Sequence, residues 1–233
     1  MRHTANRALG AVLMAVCLTC AGETPSYKPR AGDILFQSLP HNPLIDAIEG
    51  ATDSPYSHCG IVVEGANGWA VLEAIGPVRE IPLKRWLGQG RGGTHDAYRL
   101  RPQHRKYIDK TIREARKFLG RPYDIQYHFD DEKIYCSELI YKAFKAATEG
   151  QELGEVKRLG ELNWKPFAAT IIAIDGGLPL ERRMITPRHL AEAPQLMRVH
   201  HGIPAPKKQA KKTPARPTSK TAPRHNPWAT RRK

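Results

Sequence analysis

The segment from Ser57 to Ala74 constrains the fold of this chain more than any other. Ser57-His58-Cys59-Gly60-Ile61-Val62-Val63 reads as a strand that begins with a histidine, and Trp69-Ala70-Val71-Leu72-Glu73-Ala74 reads as its returning partner. Between them, Glu64-Gly65-Ala66-Asn67-Gly68 supplies turn residues. A turn of two or four residues pairs positions whose numbers sum to an odd value. His58, Gly60 and Val62 then share a sheet face with Val71, Glu73 and Ile75. An imidazole and a carboxylate emerge side by side, close enough for the acid to orient the ring. The plainer reading of Glu73 is a solvated strand carboxylate.

A second segment supplies a nucleophile. In Tyr135-Cys136-Ser137-Glu138-Leu139-Ile140-Tyr141-Lys142-Ala143-Phe144, the residues Leu139, Ile140, Ala143, Phe144 and Ala147 recur at helical spacing. Cys136 stands at the start of that helix, near unpaired backbone N–H groups and the positive end of the dipole. Both favour the thiolate. The alternative is a structural cysteine acting as a small hydrophobe. Thiol, base and orienting acid together are the parts of a thiol-hydrolase triad, whatever their chain order.

The blocks Gly32-Asp33-Ile34-Leu35-Phe36, Tyr56 to Val62, Leu72 to Val78, Tyr123-Asp124 and Tyr135 to Leu139 occur in an order that resembles one known group. It is the circularly permuted papain-fold enzymes of the NlpC-like superfamily, in the YiiX/YebB branch, with a weaker echo at Ile185-Thr186-Pro187 and Ala193 to Leu196. In that group the histidine strand precedes the cysteine, as His58 precedes Cys136 here. The resemblance implies an α+β fold, an antiparallel sheet packed against helices, with the nucleophile at a helix N-terminus. It carries the nucleophile onto Cys136, the base onto His58 and the third member onto Glu73. It implies an amidase or peptidase, acting on cell-wall peptides or isopeptide-like bonds. Thiol enzymes of the same fold class also act on lipid acyl groups, so a lipid acyl hydrolase or acyltransferase stands as an alternative.

In such a mechanism the oxyanion meets the Cys136 backbone N–H and a second donor. Tyr56 and Tyr135 are the nearest candidates for that donor or for lining the pocket, against aromatic packing. Asp124, Asp130 and Glu138 are candidate contacts for a cationic substrate group, against loop capping for the aspartates and a helix-dipole role for Glu138. No cofactor is expected. A metal site is not expected either, because His128 and Cys136 lack the paired spacings of zinc ligands. Because neighbouring strand residues face opposite ways, a His58 that faces Cys136 turns Cys59 away from it, as core filler. A disulfide is disfavoured for the same reason.

Charge matters once it is located. The formal net charge is +14, but Pro204 to Lys233 holds ten lysines and arginines and no acid. Arg2 and Arg7 against Glu23 add one, which leaves +3 on everything between. No specific nucleic-acid binding is therefore expected of the folded part. The stretch 202–233, rich in Pro, Lys and Arg, cannot repay the entropy of folding. It reads as a disordered tail that attracts anionic wall polymer or membrane surface, or merely solubilises. A catalytically idle module binding through this tail is the non-enzymatic alternative.

Residues 1–22 have the form of a secretory signal: Arg2, His3 and Arg7, the apolar run Ala8 to Leu18, then small residues. The expectation is an exported protein, periplasmic or secreted. The residues before Cys17 and Cys20 match a lipid-attachment signal poorly, so a lipid anchor is the lesser expectation. The catalytic domain is placed at 27–200. Within it, Asp33 to Gln37 and Asp96 to Arg101 read as strands, and Pro40 to Gly50 and His104 to Leu119 as helices. Lys165 to Gly177 is open between helix and strand.

Overall fold

The computed structural model describes residues 27–203; the expected leader and basic tail lie outside the described residues. The strands are β1 (Ile34–Gln37), β2 (His58–Gly65), β3 (Gly68–Ala74), β4 (Val78–Pro82), β5 (Asp96–Leu100), β6 (Lys157–Arg158), β7 (Arg183–Met184) and β8 (Leu196–His201). The helices are α1 (Pro43–Thr52), α2 (Leu83–Gln89), α3 (Ile108–Arg116), α4 (Cys136–Ala147), α5 (Ala168–Asp175) and α6 (Pro187–Ala191). Six strands form one sheet in the order β4-β3-β2-β1-β5-β8, and every neighbouring pair is antiparallel. β6 and β7 make a separate two-stranded ribbon.

The hairpin register follows the turn. Gly65 pairs with Gly68 and Gly60 with Glu73, which puts a two-residue turn at Ala66-Asn67. Side-chain alternation then divides the core into two layers. Cys59, Ile61 and Val63 of β2 and Leu72 of β3 face the layer that holds Leu139, Ile140 and Phe144 of α4. Leu35, Val62, Val71 and Ala97 face the other layer, which is filled by Trp86 of α2. Burial of each large α4 side chain contributes roughly 1.5–3 kcal/mol, which outweighs the few tenths set by helix propensity.

Local signals account for most element ends. Asn42 caps α1 by accepting the Ile45 N–H at 3.0 Å, with Pro43 in the first turn. The open question at Lys165 to Gly177 resolves as helix α5, closed by Gly176 at φ 74°. The helix expected from His104 is shorter. Its first part, Pro102–Tyr107, is a 3-10 helix, and α3 begins at Ile108. Among the described residues no helix is long and apolar enough to cross a membrane.

Candidate active site

The start of α4 is fixed by hydrogen bonds to a distant strand end. Ser137 Oγ donates to the Ile185 carbonyl at 2.8 Å, and the Ile185 N–H donates to the Tyr135 hydroxyl at 3.1 Å. Both backbone groups of one residue are thus held by the two neighbours of Cys136. In the cap itself, the Tyr135 N–H donates to Glu138 Oε2 at 3.3 Å. This anchoring gives the Ile185-Thr186-Pro187 block a physical reason, with Thr186 capping α6 in turn.

The hairpin brings His58 and Glu73 together as its register requires. His58 Nε2 lies 2.7 Å from Glu73 Oε2, and the two side chains are 2% and 0% exposed. Arg79 of β4 donates from Nε and Nη2 to Glu73 Oε1 at 3.1 and 3.0 Å, and Gln89 donates to Oε2 at 3.2 Å. The acid is therefore held from both sides. Behind the imidazole, the Trp86 ring stacks at 5.8 Å between centroids. Gly60 makes that possible: a Cβ there would stand 2.4 Å from Val71 Cγ1 and 3.2 Å from Trp86 Nε1. Gln37, the cross-strand neighbour of His58, is fully buried with its side-chain amide unpartnered.

Charge completes the picture. Burial works against a protonated His58, but hydrogen bonds with Cys136 and Glu73 and their negative charges outweigh it, raising the imidazole to about 9. Hydrogen bonding from Cys59, against burial, and then the His58 imidazole hold the Cys136 thiol well below its ordinary value. Burial raises Cys59 well above its own, with Cys136 adding to the effect. Burial of Glu73 is overcome by His58, Gln89 and Arg79, and its carboxyl is lowered. With Nε2 engaged by Glu73, Nδ1 is the nitrogen free for the thiol.

One expectation needs correction. Cys59 does not face away from Cys136: it shares the α4 layer with it, and both are free and buried. Alternation is as expected, but the face was assigned the wrong way round. His58 lies on the Trp86 side, as the first residue of β2. The two candidate tyrosines differ: Tyr56 spends its hydroxyl proton on Asp96, whereas Tyr135 accepts a backbone N–H and keeps its own O–H. Tyr56 donates to Asp96 at 2.5 Å, and Tyr135 is engaged by Ile185. Asp124 caps its loop through the Gln126 N–H at 2.9 Å, and Asp130 caps the next through the Glu132 N–H at 2.9 Å. Glu138, raised to about 8 by burial against Lys142, pairs with that lysine at 2.9 Å. These bonds support loop capping for the two aspartates and a helix-start role for Glu138, the alternatives to substrate contact.

A cleft opens beside His58, lined by Leu44 and Ile48 of α1, Ser57, Gln89 and Tyr123. Sequence reasoning missed Arg79, Gln89, Trp86 and Tyr123 as site residues. The 2-residue alternation of β3 and β4 could have found Arg79, which pairs with Glu73 directly.

The chain is similar in sequence and fold to known proteins. A family model described as permuted papain-like amidase enzyme, YaeF/YiiX, C92 family, matches residues 28–200. The uncharacterized protein YiiX of Escherichia coli (strain K12) is 33% identical over 178 residues, covering 75% of this chain and 87% of that protein. The crystal structure of metalloprotein yiiX from Escherichia coli O157:H7 superposes with a TM-score of 0.70 at 33% identity, over 76% of this chain and all of that one. Its description names a metalloprotein. Here Glu73 engages both carboxylate oxygens with protein groups, and among the described residues no cluster of three or more His, Cys, Asp or Glu is placed to hold an ion. The described residues therefore do not fit a resident metal. On sequence, order of blocks and fold alike, the chain belongs to the permuted papain-like amidase family of the YaeF/YiiX type.

Proposed function

We propose that this protein is an exported thiol hydrolase of amide bonds, in which Cys136 is the nucleophile, His58 the base and Glu73 the orienting acid. The observation that carries it is the buried His58–Glu73 contact at 2.7 Å, with Cys59 and His58 holding the Cys136 thiol below its ordinary value. The thiolate adds to the amide carbonyl, and the Cys136 backbone N–H at the helix start meets the oxyanion. Imidazolium His58 then protonates the departing amine as the C–N bond breaks. Water, deprotonated by the same ring, releases the acyl group from sulfur. Glu73 keeps the Nε2–H tautomer and steadies the imidazolium. Export rests on the leader-like residues 1–22, and cell-wall peptides are a substrate class that location would offer.

The test is a small thiol-reactive probe followed by mass spectrometry. Labelling of wild type and its loss in Cys136→Ala is the expected result. Incubation with peptidoglycan, peptides, N-acyl amides and phospholipids then identifies the bond. Normal turnover of any of these by Cys136→Ala refutes the assignment.

A further inference from the structure

Amide hydrolysis makes and breaks bonds at Cys136, His58 and water, and gives Cys59 no part. Yet Cys59 stands directly against the nucleophile. Alternation along β2 turns Cys59, Ile61 and Val63 toward α4, which packs on β2 with Cys136 at its head. The Cys136 sulfur accepts hydrogen bonds from the Cys59 thiol, the His58 ring and the Cys59 backbone N–H. Two consecutive residues of one strand thus address one sulfur. Both cysteines are free, with Cys59 0% and Cys136 1% exposed. The ground for disfavouring a disulfide, two thiols facing opposite ways, is therefore gone. Bridging requires two chain segments in close contact, and the packing of α4 on β2 supplies it.

The two sulfurs differ as an oxidisable pair requires. Hydrogen bonding from Cys59, against burial, and then His58 hold Cys136 well below its ordinary value, so its sulfur carries charge at neutrality. That is the form an oxidant attacks. Burial raises Cys59 well above its own value, with Cys136 adding to the effect, so this thiol keeps its proton and is passed over. Any opening that admits a substrate carbonyl to Cys136 also admits a hydroperoxide. Cys59 has no exposed surface from which to meet solvent, and the sulfur it meets is that of Cys136. Without such a partner, an oxidised cysteine goes on to the sulfinic acid and is lost.

We infer that Cys59 and Cys136 form a reversible oxidation site, in which a hydroperoxide oxidises the Cys136 sulfur and Cys59 captures it as a disulfide. This rests on Cys136 being the reactive thiol of the hydrolase reading, and is independent of the bond hydrolysed. The Cys136 thiolate attacks a peroxide oxygen, the O–O bond breaks, and the departing hydroxide takes the His58 imidazolium proton and leaves as water. Cys136 is now a sulfenic acid. The Cys59 sulfur attacks the Cys136 sulfur, the S–O bond breaks, and hydroxide leaves with the Cys59 proton as a second water. Hydrolysis stops while the S–S bond stands. A dithiol reductant then attacks the Cys136 sulfur, releases Cys59, and departs as its own disulfide, restoring both thiols. Cys59 is a poor leaving group because its thiol is held high, so the bridge is slow to reduce. The export proposed above places the pair where such bonds persist.

The test uses the full chain, hydrogen peroxide and iodoacetamide, with peptide mapping to separate these sulfurs from Cys17 and Cys20. Folded wild type should label at Cys136 and lose that labelling on brief peroxide treatment. A non-reducing digest should then yield a peptide cross-linked between Cys59 and Cys136, and dithiothreitol should restore most of the labelling. In Cys59→Ala and Cys59→Val no such bridge can form. Labelling recovered after the same treatment should be at least about fivefold lower, with sulfinic acid at Cys136 in its place. Each recovery is measured against that variant's own untreated labelling, so a difference in folded fraction cancels. Absence of the cross-link in wild type, at peroxide levels that abolish labelling, overturns the inference alone. So does equal recovery in both variants, or a cross-link found only in disulfide-linked dimers. Absence of Cys136 labelling in untreated, folded protein overturns the hydrolase reading and this inference with it.

Discussion

Arg79 closes on Glu73 with two of its nitrogens, at 3.1 and 3.0 Å, on the carboxylate oxygen opposite the one that faces His58. A carboxylate gripped this way cannot rotate, and the imidazole it holds inherits the restriction. Arg79→Ala should lower kcat/KM by up to about 100-fold while KM changes little, because the loss is in orientation rather than binding. Arg79→Lys restores a charge but not the two-nitrogen grip and should recover only part. Full activity in the lysine variant would show that charge alone suffices.

The pH dependence has a worked sign. His58 is raised from 6.5 to about 9, so its contribution to stability is complete below about 6.5 and disappears as pH rises through about 9. Glu73 is lowered, so its contribution is present above the ordinary carboxylate value and lost as pH falls through its lowered one. Activity, which needs thiolate and imidazolium together, should stay level through neutrality and decline near pH 9. In Cys136→Ala the imidazole loses its strongest upward influence. Its NMR titration should move back toward the ordinary value near ~6.5.

Cys59 is the first influence that lowers the Cys136 thiol. Cys59→Ala should therefore raise the pH at which a small alkylating agent labels Cys136 at half its maximal rate. The lost sulfur also leaves a small void, costing on the order of 1 kcal/mol in urea unfolding. A labelling profile that does not move would separate the two thiols energetically.

Gly60→Ala is the smallest substitution that reaches the site from behind. Its methyl group would meet Val71 and the Trp86 indole at 2.4 and 3.2 Å. Overpacking of this kind costs about 1–3 kcal/mol. The displaced indole should also shift the His58 ring signals in NMR, whereas Gly88→Ala, which meets nothing within 4 Å, should leave both stability and spectrum alone.

Much of the site could be read from residues because its geometry is local. Alternation in β2 and β3 and a short turn suffice to pair His58 with Glu73, and helical spacing suffices to put Cys136 at the head of α4. What the sequence could not carry is which sheet face α4 covers, since alternation defines two faces without saying which is which. Cys59 was misplaced for that reason. The partners of the Tyr56 and Tyr135 hydroxyls, Asp96 and Ile185, lie 40 and 50 residues away and were likewise beyond local spacing. β8 went unread altogether. Leu196 to His201 has little buried surface to mark it, and only its pairing with β5 makes it a strand.

That same β8 has a consequence for assembly. Asp96–Leu100 lacks its outer neighbour until residues 196–201 arrive, so a chain emerging N-terminus first completes its histidine hairpin and cysteine helix with one border of the sheet still bare. An uncovered border is an invitation to pair with another chain. Lesions at the far end of the domain should thus surface as clumping during biosynthesis, in molecules whose reactive sulfur is already correctly seated.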